Sequence, residues 1–256
     1  MILIQNDRIQ NEIPVLNIAM QEKFNEQLAT VIFLHGITSS KEQNLSYAYL
    51  LAEKGYRTLL PDFPLHGERT TQQSNEELQF QFWDIVLQGI AEVKIIVDHY
   101  INLDQVDSAR IGVAGTSMGS ITMFGALTQY DWVKTAVSLM GTPCYQEFAA
   151  FLINTIQREG KQIPFSDEQV KEKVAGLRPF DLSKDPSRLS GRPLLIWHGQ
   201  NDQVVPYVLT KNFYDSLIEN QSINASNIEM ITDPQSGHKV TRKACHTTVQ
   251  WFETKL

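Results

Sequence analysis

The sequence predicts an α/β fold in which helices flank a mostly parallel, eight-stranded sheet. Short apolar runs typical of buried strands alternate with segments whose apolar residues recur every three or four positions, as in helices. This alternation implies crossover connections between parallel strands. Polar and glycine-containing segments follow several of the apolar runs, and the carboxyl ends of parallel strands are where functional groups gather. We therefore expect the functional residues at that edge of the sheet.

Four strands are predicted in the first quarter of the chain. They span residues 2–4, 13–20, 30–34 and 57–62, and a helix over residues 45–54 separates the last two. Pro14 has no N–H to donate, which favours an edge position for the second strand. The run from Thr30 to Leu34 is continuously apolar, as in strands that are covered on both faces of a parallel sheet.

Two helices and two strands are predicted in the middle of the chain, around a glycine-rich turn. Asn75 can cap a long helix whose first turn carries Glu76 and Glu77 and whose apolar residues, from Phe80 to Val97, recur at spacings of three and four. A short strand over residues 111–114 follows, then a helix over 120–129 and a strand over 133–139.

The alternation stops between Pro143 and Gly191. Helices are predicted over residues 145–158 and 167–174 with no strand between them, which indicates a helical cap inserted over about residues 143–190. A strand at 193–198, a helix at 206–219, a strand at 227–231 and a closing helix from His238 to about Leu256 complete the chain. The sequence shows no repeat or linker, so residues 1–256 are predicted to form a single domain with this cap.

Composition excludes several classes of function. The 256 residues carry a formal net charge of −7, which argues against nucleic acid or an anionic membrane as a partner. No run approaches the ~20 apolar residues of a membrane span, and the N-terminus lacks an apolar signal segment. Cys144 and Cys245 have no neighbouring ligands for zinc and are predicted to be free thiols, so we expect a cytoplasmic protein without metal or other cofactor.

A G-x-S-x-G pattern lies at the predicted turn from strand to helix, with Ser117 between Gly115 and Gly119. The glycines avoid side-chain clashes where the chain passes close to itself, and the serine projects outward. The pattern also occurs by chance in ordinary loops. Its position between a strand and a helix favours a nucleophilic serine.

A serine hydroxyl needs a base within hydrogen-bond reach, and the base needs an acid to orient it. His238 follows the last strand, and Asp202 lies in the loop after the strand over 193–198. Each also fits a structural role, Asp202 as the cap of a turn and His238 as the first residue of a surface helix. Taken together, the order Ser117, Asp202, His238 and the placement at strand ends predict a catalytic triad.

Two backbone N–H groups are candidates for an oxyanion hole. Met118 follows the serine at the start of a helix, where the positive end of the helix dipole strengthens the interaction of its N–H with a developing negative charge. The loop that begins with His35 and Gly36 can supply the second donor, which we assign to Ile37. His35 itself is predicted to bond the loop backbone.

The other histidines have weaker claims to catalysis. His66 lies in a loop that should border the pocket, where it can stabilise the turn or contact substrate. The remaining three histidines suit packing or surface positions: His99, His198 and His246. No pair has a metal-binding spacing such as H-E-x-x-H.

With these residues in place, the chain resembles the α/β-hydrolases, and more narrowly the small bacterial carboxylesterases related to the prolyl-oligopeptidase and dienelactone-hydrolase branches. The matching segments cover nearly the whole length and are residues 33–40, 60–69, 115–119, 138–141 and 193–206. The resemblance implies Ser117 as nucleophile, Asp202 as acid and His238 as base, with Ile37 and Met118 as oxyanion donors. Dienelactone hydrolases have cysteine and haloalkane dehalogenases have aspartate at the position of Ser117, so the serine argues against both of these reactions. Prolyl peptidases usually add a large propeller domain, for which this chain has no room.

The sequence thus predicts a serine carboxylesterase acting on small esters through an acyl-enzyme. A peptidase or thioesterase with the same triad, and a binding protein that kept the fold without activity, remain as alternatives. Candidate substrate contacts, inferred from loop and cap placement, are Phe63, Leu65, His66, Met118, Phe148 and Phe151.

Overall fold

A computed structural model describes residues 1–71, 73–219 and 227–256 of the chain. Within these ranges eight strands form one sheet in the order β1-β2-β4-β3-β5-β6-β7-β8. They are β1 (Ile2–Ile9), β2 (Ile13–Met20), β3 (Leu28–Leu34), β4 (Arg57–Pro61), β5 (Val106–Thr116), β6 (Thr135–Leu139), β7 (Leu194–Gly199) and β8 (Ile228–Asp233). Only the pairings β1–β2 and β2–β4 are antiparallel. The predicted mostly parallel sheet is confirmed.

The first strand is longer than predicted because it forms a hairpin with β2. Gln10, Asn11 and Glu12 connect the two strands; the first two have φ of 51° and 60°, and the Glu12 N–H donates to the Ile9 carbonyl over 3.0 Å. Two consecutive left-handed residues give the turn a twist that matches that of the flanking strands. The exposed polar residues of β1 carry no apolar pattern, so the sequence did not indicate this extension.

The expectation that Pro14 lies on an edge strand is wrong, since β1 is the edge and β2 is the second strand. The ladder between β2 and β4 begins at Val15, opposite Pro61. The Pro14 carbonyl accepts a hydrogen bond of 3.0 Å from the Asp62 N–H, just past the end of β4. Because the N–H and C=O of a residue point to the same side of a strand, the missing N–H of Pro14 faces Asp62 beyond the end of β4 and removes no bond from the ladder between β1 and β2.

Helices cover both faces of the sheet. They are α1 (Leu45–Glu53), α2 (Asn75–Phe80), α3 (Phe82–Asn102), α4 (Met118–Gln129), α5 (Tyr145–Arg158), α6 (Asp167–Gly176), α7 (Tyr207–Glu219) and α8 (Arg242–Lys255). Alternate residues of β3 point to opposite faces. Ile32 and Leu34 join the apolar cluster of α3 and α4, whereas Val31 and Phe33 join that of α1 and α8.

The predicted long helix is divided, and Asn75 is not its cap. Ser74 is the N-cap: its hydroxyl accepts from the Glu77 N–H at 3.2 Å, and the Glu77 carboxylate accepts from the Ser74 N–H at 2.8 Å. This reciprocal pair satisfies two otherwise free donors, which explains why the helix begins one residue after Ser74. At Gln81 the backbone (φ −94°, ψ 1°) separates α2 from α3.

The closing helix begins later than predicted. Thr241 caps α8 by accepting from the Ala244 N–H at 3.3 Å, so the helix starts at Arg242. His238 therefore lies in the β8–α8 loop and does not open the helix. The loop position leaves its ring free to turn toward the neighbouring strand ends.

Two helices and no described strand occupy the segment between β6 and β7, as predicted; α6 extends two residues further, to Gly176. Cys144 is buried, Cys245 is half-buried, and both are free thiols. None of the described helices has the length and apolar character that crossing a bilayer requires.

Candidate active site

Ser117 lies in a strained turn between β5 and α4. Its backbone has φ 53° and ψ −118°, a conformation that disfavours side chains and costs about 1–3 kcal/mol. Hydrogen bonds on both sides hold the turn, from the Ser117 N–H to the Leu139 carbonyl at 2.9 Å and from the Ile121 N–H to the Ser117 carbonyl at 3.0 Å. The strain aims the hydroxyl away from the sheet.

The flanking glycines are required by close backbone contacts. A Cβ on Gly119 would lie 2.1 Å from the Leu34 carbonyl oxygen, and a Cβ on Gly115 would lie 2.3 Å from the backbone of Gly119. Only glycine lets α4 start this close to β3 and β5. The same closeness brings Ser117 to the loop that follows β3.

Ser117, His238 and Asp202 are connected by hydrogen bonds. His238 Nε2 is 2.9 Å from Ser117 Oγ, and His238 Nδ1 is 2.7 Å from Asp202 Oδ2. Because the carboxylate can only accept, Nδ1 carries the proton and Nε2 is left to accept the serine proton. The three residues that the sequence singled out are therefore together, in the relation that a nucleophile, its base and an orienting acid require.

The Asp202 carboxylate is buried and has donors on both oxygens. Oδ1 accepts from the N–H groups of Val204 at 2.9 Å and Val205 at 3.0 Å, while Oδ2 faces His238 and, at 3.2 Å, His198 Nε2. Burial raises the pKa of Asp202, but the hydrogen bonds from His198, His238 and the Val205 N–H outweigh it and hold the pKa well below its usual range. Asp202 both caps its turn and contacts His238, so the two roles weighed from the sequence coexist.

Ile37 and Met118 are both close to the serine, since Met118 follows it in the chain and Ile37 lines the same cavity. The loop after β3 packs against the turn, since a Cβ on Gly36 would be 3.4 Å from the Ser117 Cβ. Within the described ranges neither the Ile37 nor the Met118 N–H donates a hydrogen bond. Two unengaged donors next to the hydroxyl can stabilise a developing oxyanion, and Met118 adds the dipole of α4.

Two buried histidines support this loop. His35 Nε2 accepts from the Phe63 N–H at 3.1 Å, and its Nδ1 donates to the Gly36 carbonyl at 2.7 Å. His66 Nε2 accepts from the Thr38 N–H at 3.1 Å, and its Nδ1 donates to the Pro64 carbonyl at 2.8 Å. The predicted backbone-bonding role of His35 is confirmed, and His66 stabilises the turn.

Acid should destabilise the fold through His35. Burial lowers its pKa from 6.5 to about 4, outweighing the bond to the Gly36 carbonyl. Below pH 6.5 the unfolded chain therefore takes up a proton that the folded protein does not. The free energy of unfolding should fall by about 1.4 kcal/mol per pH unit from this residue, until the loss ends near pH 4. Urea unfolding at several pH values measures this slope.

His35→Gln removes the titrating ring, so its stability should depend less steeply on pH between 6.5 and 4. His246→Gln, on the exposed surface of α8, is the matched control and should keep the wild-type slope. Parallel pH curves for the wild type and His35→Gln would contradict the assignment.

A cavity of about 280 Å³ opens above Ser117. It is lined by Ile37, Thr38, Asn75, Gln79, Phe82, Ser117, Ile121, Phe148, Leu152, Thr155, Ile156, Glu159, Val204 and Val205. The residues next to the serine are mostly apolar, and Asn75, Gln79 and Glu159 are exposed. The cavity thus offers an apolar floor and a polar rim.

Of the predicted substrate contacts, Phe148 lines this cavity, whereas Phe63, Leu65, His66, Met118 and Phe151 are absent from its lining; Ile37, predicted as an oxyanion donor, also lines it. Phe63 is buried against Gly89, where a Cβ would lie 2.2 Å from its ring. Met118 is fully buried beneath the turn. Phe151 stacks on Phe148 with ring centroids 6.0 Å apart and lies beside the helix face that meets the cavity.

The α5 wall was predicted only in part, since Phe148 was named from the sequence as a contact and the polar residues of the same helix face were not. Phe148, Leu152, Thr155 and Glu159 are spaced at i, i+4, i+7 and i+11, which places them on one helix face at about 100° per residue. Phe151 falls on the flank of that stripe. Thr155 and Glu159 are polar and do not belong to the apolar pattern of the helix, so that pattern did not predict them as contacts. Among the described residues, no group of three or more His, Cys, Asp or Glu side chains is arranged to bind a metal.

A mainly parallel sheet with a strained serine at a strand-to-helix turn, facing a histidine and an aspartate from later strand ends, defines the α/β-hydrolase class. The sequence model of the prolyl oligopeptidase family matches residues 44–256, and the chain belongs to that family. It is 46% identical over 256 residues to YitV of Bacillus subtilis strain 168, with all of both chains covered. It is 30% identical over 251 residues to the esterase YjfP of Escherichia coli strain K12, with 96% of each covered.

Among solved structures, TT1662 from Thermus thermophilus matches with a TM-score of 0.77 at 18% identity, covering 99% of this chain and 98% of that one. At this identity the likeness concerns the fold. The family and its esterase relatives make the chain a hydrolase of the serine type.

Proposed function

We propose that the protein is a serine carboxylesterase that hydrolyses small carboxylic esters through an acyl-enzyme. The observation that carries this proposal is the hydrogen-bonded chain from Ser117 through His238 to Asp202, at the floor of a cavity and beside two free N–H groups. A nucleophile, a base, an orienting acid and an oxyanion site are what acyl transfer requires.

The chemistry follows from these positions. The Ser117 oxygen attacks the ester carbonyl carbon while its proton passes to His238 Nε2, and the N–H groups of Ile37 and Met118 hold the oxyanion. The C–O bond to the alcohol breaks, and the leaving oxygen takes the proton from His238. Water then gives a proton to His238 and attacks the acyl-serine. Breaking the acyl–Ser117 bond releases the carboxylic acid and returns the proton to Ser117.

The size and polarity of the cavity support an uncharged substrate of modest size. Its walls near the serine are apolar and are formed by Phe82, Ile121 and Phe148, so a charged group there would lose hydration without a partner.

We also propose that residues 1–256 act as a single domain with residues 143–190 as a cap, because α5 lies over the cavity. The chemistry uses no cofactor, and two free thiols support a cytoplasmic location.

The first alternative is a peptidase or thioesterase, which the family's oligopeptidase members favour. The same groups attack any acyl carbonyl, and only the leaving group differs. A panel of matched p-nitrophenyl ester, thioester and aminoacyl amide substrates with the same acyl group separates these functions. The ester should give the highest kcat/KM, and a higher value for the amide or thioester would replace the proposal.

The second alternative is a binding protein without turnover. A fluorophosphonate probe labels an activated serine covalently and needs no knowledge of the substrate. Stoichiometric labelling of the native protein is the expected result. Failure of the native, folded protein to react would reject the esterase function.

A further inference from the structure

An apolar crevice lies next to the substrate cavity, between α2–α3 and the helices α5 and α6. It encloses about 80 Å³ and is lined mainly by apolar side chains of these helices and of the α5–α6 loop, among them Phe80, Trp83 and Val170 from the helices and Ile163 and Phe165 from the loop. We call it the cap crevice. An ion pair of 3.2 Å between Lys173 and Asp84 lies in its wall. One water needs about 10–15 Å³ of such volume, so the crevice has room for a chain of several carbon atoms.

The cap crevice adjoins the substrate cavity. Three residues, Gln79, Leu152 and Ile156, line both spaces. Leu152 and Ile156 are one turn apart on α5 and are only half-buried. They form a wall that two side chains can open by changing rotamer, without movement of the backbone. A chain that leaves the serine along α5 meets this wall.

We propose that the cap crevice binds the distal end of a straight alkyl chain on the acyl group of the substrate, so that the enzyme prefers medium-chain esters to acetates. The proposal rests on the proposed esterase function. Apart from Gln79 and the Lys173–Asp84 ion pair, the walls of the crevice are apolar. Burial of methylene groups against such walls is favourable.

The test is a chain-length series of p-nitrophenyl esters from acetate to decanoate. Each methylene that enters the crevice should raise kcat/KM by about fourfold until the crevice is full. Val170→Phe adds bulk from α6, away from the substrate cavity, and should lower kcat/KM for octanoate by about tenfold while acetate stays within about twofold. Lys171→Phe, on the exposed side of α6, is the matched control and should leave the series unchanged.

A binding measurement separates this inference from the esterase proposal. Decanoate, added to the Ser117→Ala variant, should change the fluorescence of Trp83 saturably, and neither Trp83→Phe nor Val170→Phe in the same background should show that change. A wild-type series that is flat or best with acetate, or decanoate binding that Val170→Phe leaves intact, would overturn the crevice assignment. Absence of turnover on every ester, with decanoate still bound, would reject the esterase function and keep the crevice.

A second, independent observation concerns His198 at the end of β7. Its ring is fully buried, and Nε2 lies 3.2 Å from Asp202 Oδ2 and 3.0 Å from the Val205 carbonyl oxygen. Both partners only accept, so Nε2 carries the proton. Nδ1 is buried with no hydrogen-bond partner in the described part of the chain. Such an unpaired atom costs stability, which an apolar side chain would avoid.

We infer that His198 is a positioning residue for the acid. Its Nε2–H and the His238 ring share Oδ2, while the Val204 and Val205 N–H groups hold Oδ1. Four donors fix the carboxylate plane, so that one lone pair of Oδ2 is kept on the line to His238. Without the fourth donor the carboxylate can rotate and the orientation of the base is lost.

The test compares two variants. His198→Phe keeps the ring volume but removes the donor, and kcat should fall by about tenfold or more while KM stays within about twofold, because the substrate cavity is untouched. His198→Gln keeps an N–H that reaches Oδ2 and should recover most of kcat. Should His198→Phe fail to fold, His198→Asn, which is too short to reach, takes its place. Equal kcat for the Gln variant and the variant without the donor would overturn the inference.

Discussion

Ser117→Ala is expected to lower kcat for ester hydrolysis by roughly four to six orders of magnitude, with KM little changed and fluorophosphonate labelling lost. The variant removes the hydroxyl oxygen that we propose forms the acyl-enzyme, and His238 and the N–H groups of Ile37 and Met118 are then left without a nucleophile to assist. Steady-state kinetics and mass spectrometry of the probe-treated protein measure the two effects. Ser46→Ala, on the exposed face of α1, is the control and should keep both activity and labelling.

The backbone strain at Ser117 can be tested through the free energy of unfolding, because an unstrained surface serine would not gain stability on substitution by glycine. At φ 53° and ψ −118° a Cβ is strained, so Ser117→Gly should raise the free energy of unfolding by about 1 kcal/mol while abolishing activity. Gain of stability with loss of function is the signature of a residue held in strain for its chemistry. Ester turnover or labelling at the wild-type level in either variant would move the nucleophile elsewhere.

The fold was predictable because its signals are local and repeated. Apolar runs such as residues 30–34 and 193–198 are long enough to indicate buried parallel strands, and the helices between them have a clear period. The hairpin was harder, because the outer residues of β1 face solvent and their polar side chains have no pattern to read. The cap at Ser74 was missed since two adjacent residues, Ser74 and Asn75, both suit an N-cap, and only the pairing with Glu77 decides between them.

That Ser117, Asp202 and His238 lie together was predictable from the sequence, whereas most of the cavity walls were not. Ser117, Asp202 and His238 each follow a strand, and the ends of parallel strands meet whatever the details of packing. The walls depend instead on how far α5 is rotated about its axis, which a sequence pattern does not specify. Phe63 illustrates the limit: it follows β4 as a pocket residue would, but the missing side chain of Gly89 leaves space that its ring fills.

The His238 ring is the second position where a single change should remove nearly all activity. His238→Ala is expected to lower kcat for esters by roughly four to six orders of magnitude, because Ser117 then has no base and the leaving alcohol has no acid. The fold should survive: the ring is 21% exposed, and Asp202 keeps its bonds to the Val204 and Val205 N–H groups and to His198. A buried carboxylate that retains three donors is not left uncompensated.

Kinetics and thermal unfolding of the same preparations separate these two expectations. His246→Ala, a substitution of the same type on α8, should keep the wild-type kcat and melting temperature. His238→Ala should match its melting temperature within a few degrees and show almost no turnover. Substantial activity in the folded His238→Ala variant would place the base on another residue, whereas loss of folding would mean that the donors remaining on Asp202 do not compensate its charge.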